Sequence, residues 1–93
     1  MTNKITKEKL IKYFSITEKA FHEAKGKVIK GREEEAKEVI EMVKNYISDA
    51  RYFESQGEFV NAFASINYVH GWLDAGVRLG VFDVDDNKLF TIK

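Results

Sequence analysis

The sequence contains no cysteine and no proline among its 93 residues. Without cysteine, the chain can form neither a disulfide nor a thiolate metal site. Without proline, nothing in the sequence forces a break inside a helix. The six glycines stand mostly where one hydrophobic pattern ends and the next begins. Together these features favour a few long, uninterrupted helices.

Long hydrophobic runs are missing as well. No apolar stretch approaches the roughly 18 residues of a membrane span, and the lysine-rich start lacks the apolar centre of a signal peptide. We therefore expect a cytoplasmic protein with no membrane among its partners. The sequence shows no glycine-rich phosphate loop, nucleophile elbow or paired-histidine metal motif. It predicts no catalytic residue, no metal site and no cofactor. The absence of these motifs favours a protein that is not an enzyme.

The chain does have enough apolar side chains for a core. They make up 44% of the residues, and aromatic side chains make up 13%, which suits one domain spanning residues 1–93. The net charge is zero, but residues 1–32 hold nine Lys/Arg against three Glu, and residues 33–58 hold three against eight acids. This pattern favours neighbouring helices that attract each other. RNA binding through the basic first segment is an alternative, but nucleic-acid binders are generally basic overall, so we do not expect nucleic acid as a partner.

Hydrophobic periodicity predicts an all-α fold, a three-helix up-down-up bundle with helices at about residues 6–28, 32–56 and 58–79. Thr6 is the expected N-cap of the first helix, and Gly57 is the expected left-handed residue after the second. Residues 81–84 and 89–92 have strand-like composition around a turn signal at 85–87. The tail at 81–93 is therefore predicted to form a short hairpin or an extended segment laid over the bundle.

The third helix is apolar or small nearly all round, so it needs more cover than two neighbouring helices give. Trp72, Leu79 and Val69 point away from the row expected to face those helices. Either the tail covers them or a second chain does, and we expect a homodimer through the third helix and the tail. Gly71 and Gly76 each cost about 1 kcal/mol relative to alanine inside a helix. The expected reason is close approach of another helix, with room for a ligand as the alternative.

A row of polar residues runs along the third helix. Asn67, His70, Asp74 and Arg78 recur at helical spacing, and folding the chain at its turns places Thr17 of the first helix level with His70. An aspartate four residues after a histidine can hold the imidazole in one tautomer, as a general base or metal ligand requires. Thr17, Asn67, His70 and Asp74 can instead satisfy one another as an internal network that fixes helix register. These four residues together with Arg78 are named here the polar row.

Two segments carry a family resemblance: Tyr-Ile-Ser-Asp-Ala-Arg-Tyr-Phe at 46–53, and residues 57–82 with His-Gly-Trp-Leu-Asp-Ala-Gly at 70–76. They resemble the archaeal DUF357 family. The resemblance covers roughly the whole chain but is specific only in the second and third helices. It implies a small helical bundle and no established activity. Occasional fusion of the family to nucleotidyltransferase-like domains would imply an accessory or binding module.

Three functions follow as hypotheses. The first is a non-enzymatic interaction or accessory module that binds a protein partner or self-associates. The second is a small-molecule-binding, nucleotide-binding or hydrolytic protein that uses the His70, Asp74 and Arg78 row. The third is RNA binding through the lysine-rich first helix, which a salt titration would reveal because phosphate contacts weaken steeply with salt.

Overall fold

The fold is a bundle of three α-helices. The computed structural model describes residues 4–86, 89 and 90. Within this part of the chain the helices are α1 (Lys7–Lys25), α2 (Glu33–Ser55) and α3 (Phe59–Arg78), and no strand is present. The predicted all-α class is thus confirmed. The helix α3 packs against both others, whereas α1 and α2 touch each other little. The resulting bundle is flat, with extents of 43 × 25 × 16 Å.

The start of α1 follows the sequence closely, but its end does not. Thr6 Oγ1 accepts a hydrogen bond of 3.1 Å from the Lys9 backbone N–H, which makes Thr6 the predicted N-cap. The helix ends at Lys25, with Gly26 as its C-cap, which is before the predicted end at about residue 28. Residues 27–29 leave the helix because their backbone groups pair with the tail. The bounds of α2 and α3 differ from the predicted ones by one residue at each end.

The tail pairs with the connection between α1 and α2. Gly80, with a φ of 77°, turns the chain back after α3, and an antiparallel bridge joins Val28 to Phe82. Ile29 N–H donates to the Val81 carbonyl at 2.9 Å, and Asp83 N–H donates to the Lys27 carbonyl at 2.8 Å. The described tail residues 81–83 thus lie extended over the bundle, which is one of the two predicted alternatives. An isolated hairpin is barely stable, whereas this pairing inserts Phe82 into the core. Residues 87, 91 and 92 of the predicted hairpin lie outside the described residues.

The core extends around more of α3 than one row. Val69 is fully buried, so the prediction that it points away from the bundle is wrong. Because α3 faces α1, α2 and the tail together, its buried arc is wider than a face that meets one helix. Val69 belongs to the cluster at the tail end of the bundle, formed by Ala20, Phe21, Ala24, Ala36, Val39, Val43, Val69, Leu73, Val81, Phe82, Val84 and Phe90. The second cluster, at the other end, contains Leu10, Phe14, Ala50, Ala62 and Ile66.

The two glycines inside α3 have different surroundings. A Cβ added at Gly76 would lie 2.5 Å from Cε2 of the Phe82 ring, so Gly76 admits the tail rather than a helix. A Cβ added at Gly71 would meet nothing within 4 Å. Close approach of another helix of this chain therefore explains neither glycine, and Gly71 has no explanation within the single chain.

The side chain of Arg51 spans the open side between α1 and α2. Arg51 on α2 donates from Nη2 to Glu18 Oε1 on α1 at 2.7 Å. The Arg51 guanidinium carbon lies 3.9 Å from the centroid of the Phe14 ring, close enough for a cation–π contact. This bridge joins two helices that otherwise have few contacts.

Candidate functional site

A cleft between α1 and α3 holds most of the polar row. Thr17 is 1% exposed, and its Oγ1 lies 3.3 Å from Nδ1 of His70, a hydrogen bond whose donor depends on the imidazole tautomer. His70 Nε2 faces Asp74 Oδ1 at 3.8 Å. Thr17 and His70 do lie at the same level, as folding the chain at its turns predicted. We call this the α1–α3 cleft; it is lined by Tyr13, Ile16, Thr17, Asn67, His70, Gly71 and Asp74.

The predicted network of Thr17, Asn67, His70 and Asp74 is not a closed internal one. Asn67 is exposed at the rim of the cleft, and Arg78 is exposed at the last residue of α3, outside the cleft lining. The distance of 3.8 Å between His70 and Asp74 exceeds that of a hydrogen bond. Their side chains are 25% and 24% exposed, so water reaches both. Tyr13 and Ile16, which also line the cleft, were not singled out from the sequence because they lie on the other helix, outside the polar pattern.

The arrangement suits hydrogen bonding to a small ligand more than it suits catalysis. Thr17 orients the imidazole of His70 from beneath, and the other ring nitrogen faces Asp74 and the open cleft. An imidazole oriented in this way can donate a hydrogen bond to a ligand or accept one from it. Across the residues that the structure describes, no group of three His, Cys, Asp or Glu side chains could hold a metal ion.

Replacing Thr17 with valine is expected to lower the free energy of unfolding by about 0.5–1.5 kcal/mol, because the buried hydroxyl and its contact with His70 are lost. Chemical denaturation of the variant measures this change. The matched control is Asn67→Ala at the exposed rim, which should change stability by no more than about 0.5 kcal/mol. Equal losses in the two variants would contradict an anchoring role for Thr17.

A second surface with functional character lies beside the α1–α3 cleft, on the solvent-facing side of α3, and Gly71 borders both. Val60 and Leu79 are each 67% exposed, and Tyr68 is 48% exposed. Among the exposed positions of α3, Arg78 at the edge of this surface is charged, whereas the exposed positions of α1 and α2 are mostly lysine and glutamate. Of the residues expected to need cover, Leu79 belongs to it and the half-buried Trp72 lies at its edge. We call it the α3 outer face, formed by Val60, Ala64, Tyr68, Gly71, Ala75 and Leu79.

A shallow, mainly apolar depression lies in the middle of the α3 outer face, at Gly71. Tyr68 and Trp72 form one wall, and Asn67 and Ala75 complete the lining. The Tyr68 ring is held edge-on against Tyr46 of α2, with 4.7 Å between centroids, and lies 6.3 Å from Trp72. The depression exists because Gly71 has no side chain, and its aromatic wall is supported from behind by α2.

Comparison with known families decides where the chain belongs. A family model described as a protein of unknown function, DUF357, matches residues 12–82, which include most of α1 and all of α2 and α3. The chain belongs to the DUF357 family. No curated protein and no solved structure matches it. Membership of DUF357 brings no activity with it, so the surfaces of this DUF357 chain carry the functional argument. None of its described helices is long and apolar enough to cross a membrane.

Proposed function

We propose that this DUF357 chain is a non-enzymatic interaction module that self-associates through the α3 outer face. The observation that carries the proposal is an exposed, uncharged and largely apolar face on the helix that contacts both others, in a chain of which 32% is charged. Large exposed apolar patches on soluble domains mark interaction sites. Covering this face removes apolar surface from water, and the one charged side chain of α3 beside it, Arg78, can stay in solvent at its edge.

A second copy fits this face for two reasons. The formal net charge of the chain is zero, so two copies do not repel each other at long range. The face is also uncharged from Val60 to Ala75, so two such faces meet without like charges. One helix against one helix buries less than the roughly 1,600 Å² of a standard interface. We therefore expect a weak dimer, with a dissociation constant in the micromolar range or above. The apolar residues Val81, Phe82, Val84 and Phe90 of the tail are buried in the core, so the proposal uses α3 alone.

Sedimentation velocity from roughly 10 µM to roughly 1 mM should show a monomer converting reversibly to a dimer. Ala75→Glu should abolish the dimer, because it buries a carboxylate at the apolar contact. It should leave the monomer folded, because Ala75 is exposed. The matched control is Ser48→Glu, which adds the same charge at an exposed position of α2 and should leave dimerisation unchanged.

A wild-type chain that stays monomeric over the whole concentration range would rule out the proposal. So would a dimer that survives Ala75→Glu unchanged, because its interface would then lie on another surface.

The α1–α3 cleft supports a second candidate function, the binding of a small polar ligand to His70. Asp74 is the acidic side chain in the lining, and Arg78 lies outside it, so an anionic nucleotide is a poor match to the charges. NMR titration with imidazole and with AMP as probes tests the idea. If imidazole changes the chemical shifts of Thr17, His70 and their neighbours only, and AMP changes none, ligand binding at His70 is supported. If neither probe changes any chemical shift, ligand binding at His70 is ruled out.

Two finer expectations from the sequence stay proposals, namely a cytoplasmic location and an archaeal source. Cell fractionation followed by immunoblotting tests the first.

A further inference from the structure

The α3 outer face has the same spacing when it is read from either end. Its six positions are separated by four, four, three, four and four residues, a pattern symmetric about the midpoint between residues 69 and 70. Two copies of α3 related by a two-fold axis at this midpoint would run antiparallel. Three kinds of facing pair would then form between one copy and the other: Val60 with Leu79, Ala64 with Ala75, and Tyr68 with Gly71.

The sizes of the facing side chains are also complementary. Branched apolar side chains would meet at both ends of the contact, and alanine would meet alanine one turn further in. At the centre, the largest side chain of the face, Tyr68, would lie opposite the residue that has none, Gly71. When a large side chain on one helix faces a small residue at the same height on the other, the two helices can pack closely with their side chains interdigitated.

A parallel arrangement fits poorly. It would set Tyr68 against the partner's Tyr68 and leave the depression at Gly71 empty. It would also place Arg78 level with the partner's Arg78 at the edge of the contact, where two like charges repel. In the antiparallel arrangement the two arginines are separated by about 25 Å along the helix axis, from the rise of 1.5 Å per residue.

We infer that two copies pair through antiparallel α3 helices, with the Tyr68 ring of each copy seated in the depression at the partner's Gly71. The inference rests on the proposed self-association and adds its geometry. Tyr68 is already held by Tyr46 and Trp72, so little side-chain freedom is lost when it docks. Gly71 thereby gains the explanation that the single chain does not give.

Engineered cysteines test the arrangement directly, because the chain has no cysteine of its own. Under mild oxidation, an equimolar mixture of Ala64→Cys and Ala75→Cys chains should form a disulfide-linked heterodimer. Each variant alone should stay uncross-linked, because its two cysteines would lie about 16 Å apart along the axis and a disulfide needs Cα atoms within roughly 7 Å. Mass spectrometry of the linked product identifies which chains it contains.

Three further substitutions test whether Tyr68 is seated in the depression at the partner's Gly71. Gly71→Ala should raise the melting temperature of the dilute monomer by several degrees, since alanine is the better helix former, yet weaken the dimer by about tenfold or more because it fills the depression. Tyr68→Ala should weaken the dimer by at least about tenfold. Tyr68→Phe keeps the ring and should leave affinity within about threefold.

Each result bears on one of the two proposals or on both. Cross-linking of Ala64→Cys alone, or no cross-linking in a protein that sediments as a dimer disrupted by Ala75→Glu, would overturn the antiparallel arrangement while self-association stands. Equal dimerisation affinities of the wild type and Gly71→Ala would rule out the seating of Tyr68 in the depression at Gly71. A wild-type chain that is monomeric at every concentration would overturn both.

Discussion

Replacing Phe82 with alanine is expected to lower the free energy of unfolding by about 3–5 kcal/mol. Phe82 is 2% exposed and packs in the tail-end cluster, over Gly76. Removal of the ring reduces the apolar surface that folding buries. It also leaves a cavity, because the helices around it cannot close the space fully. Small domains are stable by only about 5–15 kcal/mol in total, so the loss is a large share. Urea denaturation followed by circular dichroism measures it.

The control for Phe82→Ala is Tyr52→Ala. Tyr52 is 61% exposed, and its truncation should cost no more than about 0.5 kcal/mol. If the two variants lost similar stability, or if Phe82→Ala lost less than about 1 kcal/mol, the tail would not be part of the core.

Gly76→Ala is expected to lower the free energy of unfolding by about 1–3 kcal/mol, because the new methyl group would overlap the Phe82 ring. The ring is buried on all sides, so it cannot move aside without disturbing the core. This loss should prevail over the gain of about 1 kcal/mol that alanine brings to a helix interior. Thermal and urea unfolding at low concentration, where the monomer predominates, measures the change.

Gly71→Ala provides the matched control for Gly76→Ala, because it makes the same substitution five residues earlier in α3. The added methyl group meets nothing there, so stability should rise by about 0.5–1 kcal/mol. Opposite signs for the two variants are the expected outcome. A stabilised Gly76→Ala variant would show that the Phe82 ring does not occupy the position described.

Much of the fold could be predicted from the sequence because its signals are local. Three stripes of apolar residues at helical spacing, the Thr6 cap and the glycines after each helix define α1, α2 and α3 within a few residues. The register between helices also followed, since short connections constrain which levels can meet. That is why Thr17 could be placed opposite His70 before any contact was known.

The rest depended on contacts between distant parts of the chain. The partner of Phe82 is Val28, and no periodicity within either segment indicates that pairing. The same pairing shortened α1, and the neighbours that α3 gains from three other parts of the chain bury Val69, which a single apolar row does not predict. The polar row looked continuous from helical spacing alone, yet Asn67 and Arg78 face solvent because α1 covers only one flank of α3.

The central place of α3 also affects how the chain can fold as it is synthesised. The ribosome releases α1 and α2 first, and these two helices have few contacts with each other. A nascent chain that ends before α3 therefore lacks the surface that joins them, and its acidic and basic helices have little more than the Arg51–Glu18 pair to hold them. Native packing must wait for α3, and the cluster around Phe82 must wait for the tail. Folding of this bundle should accordingly begin only after α3 has left the ribosome.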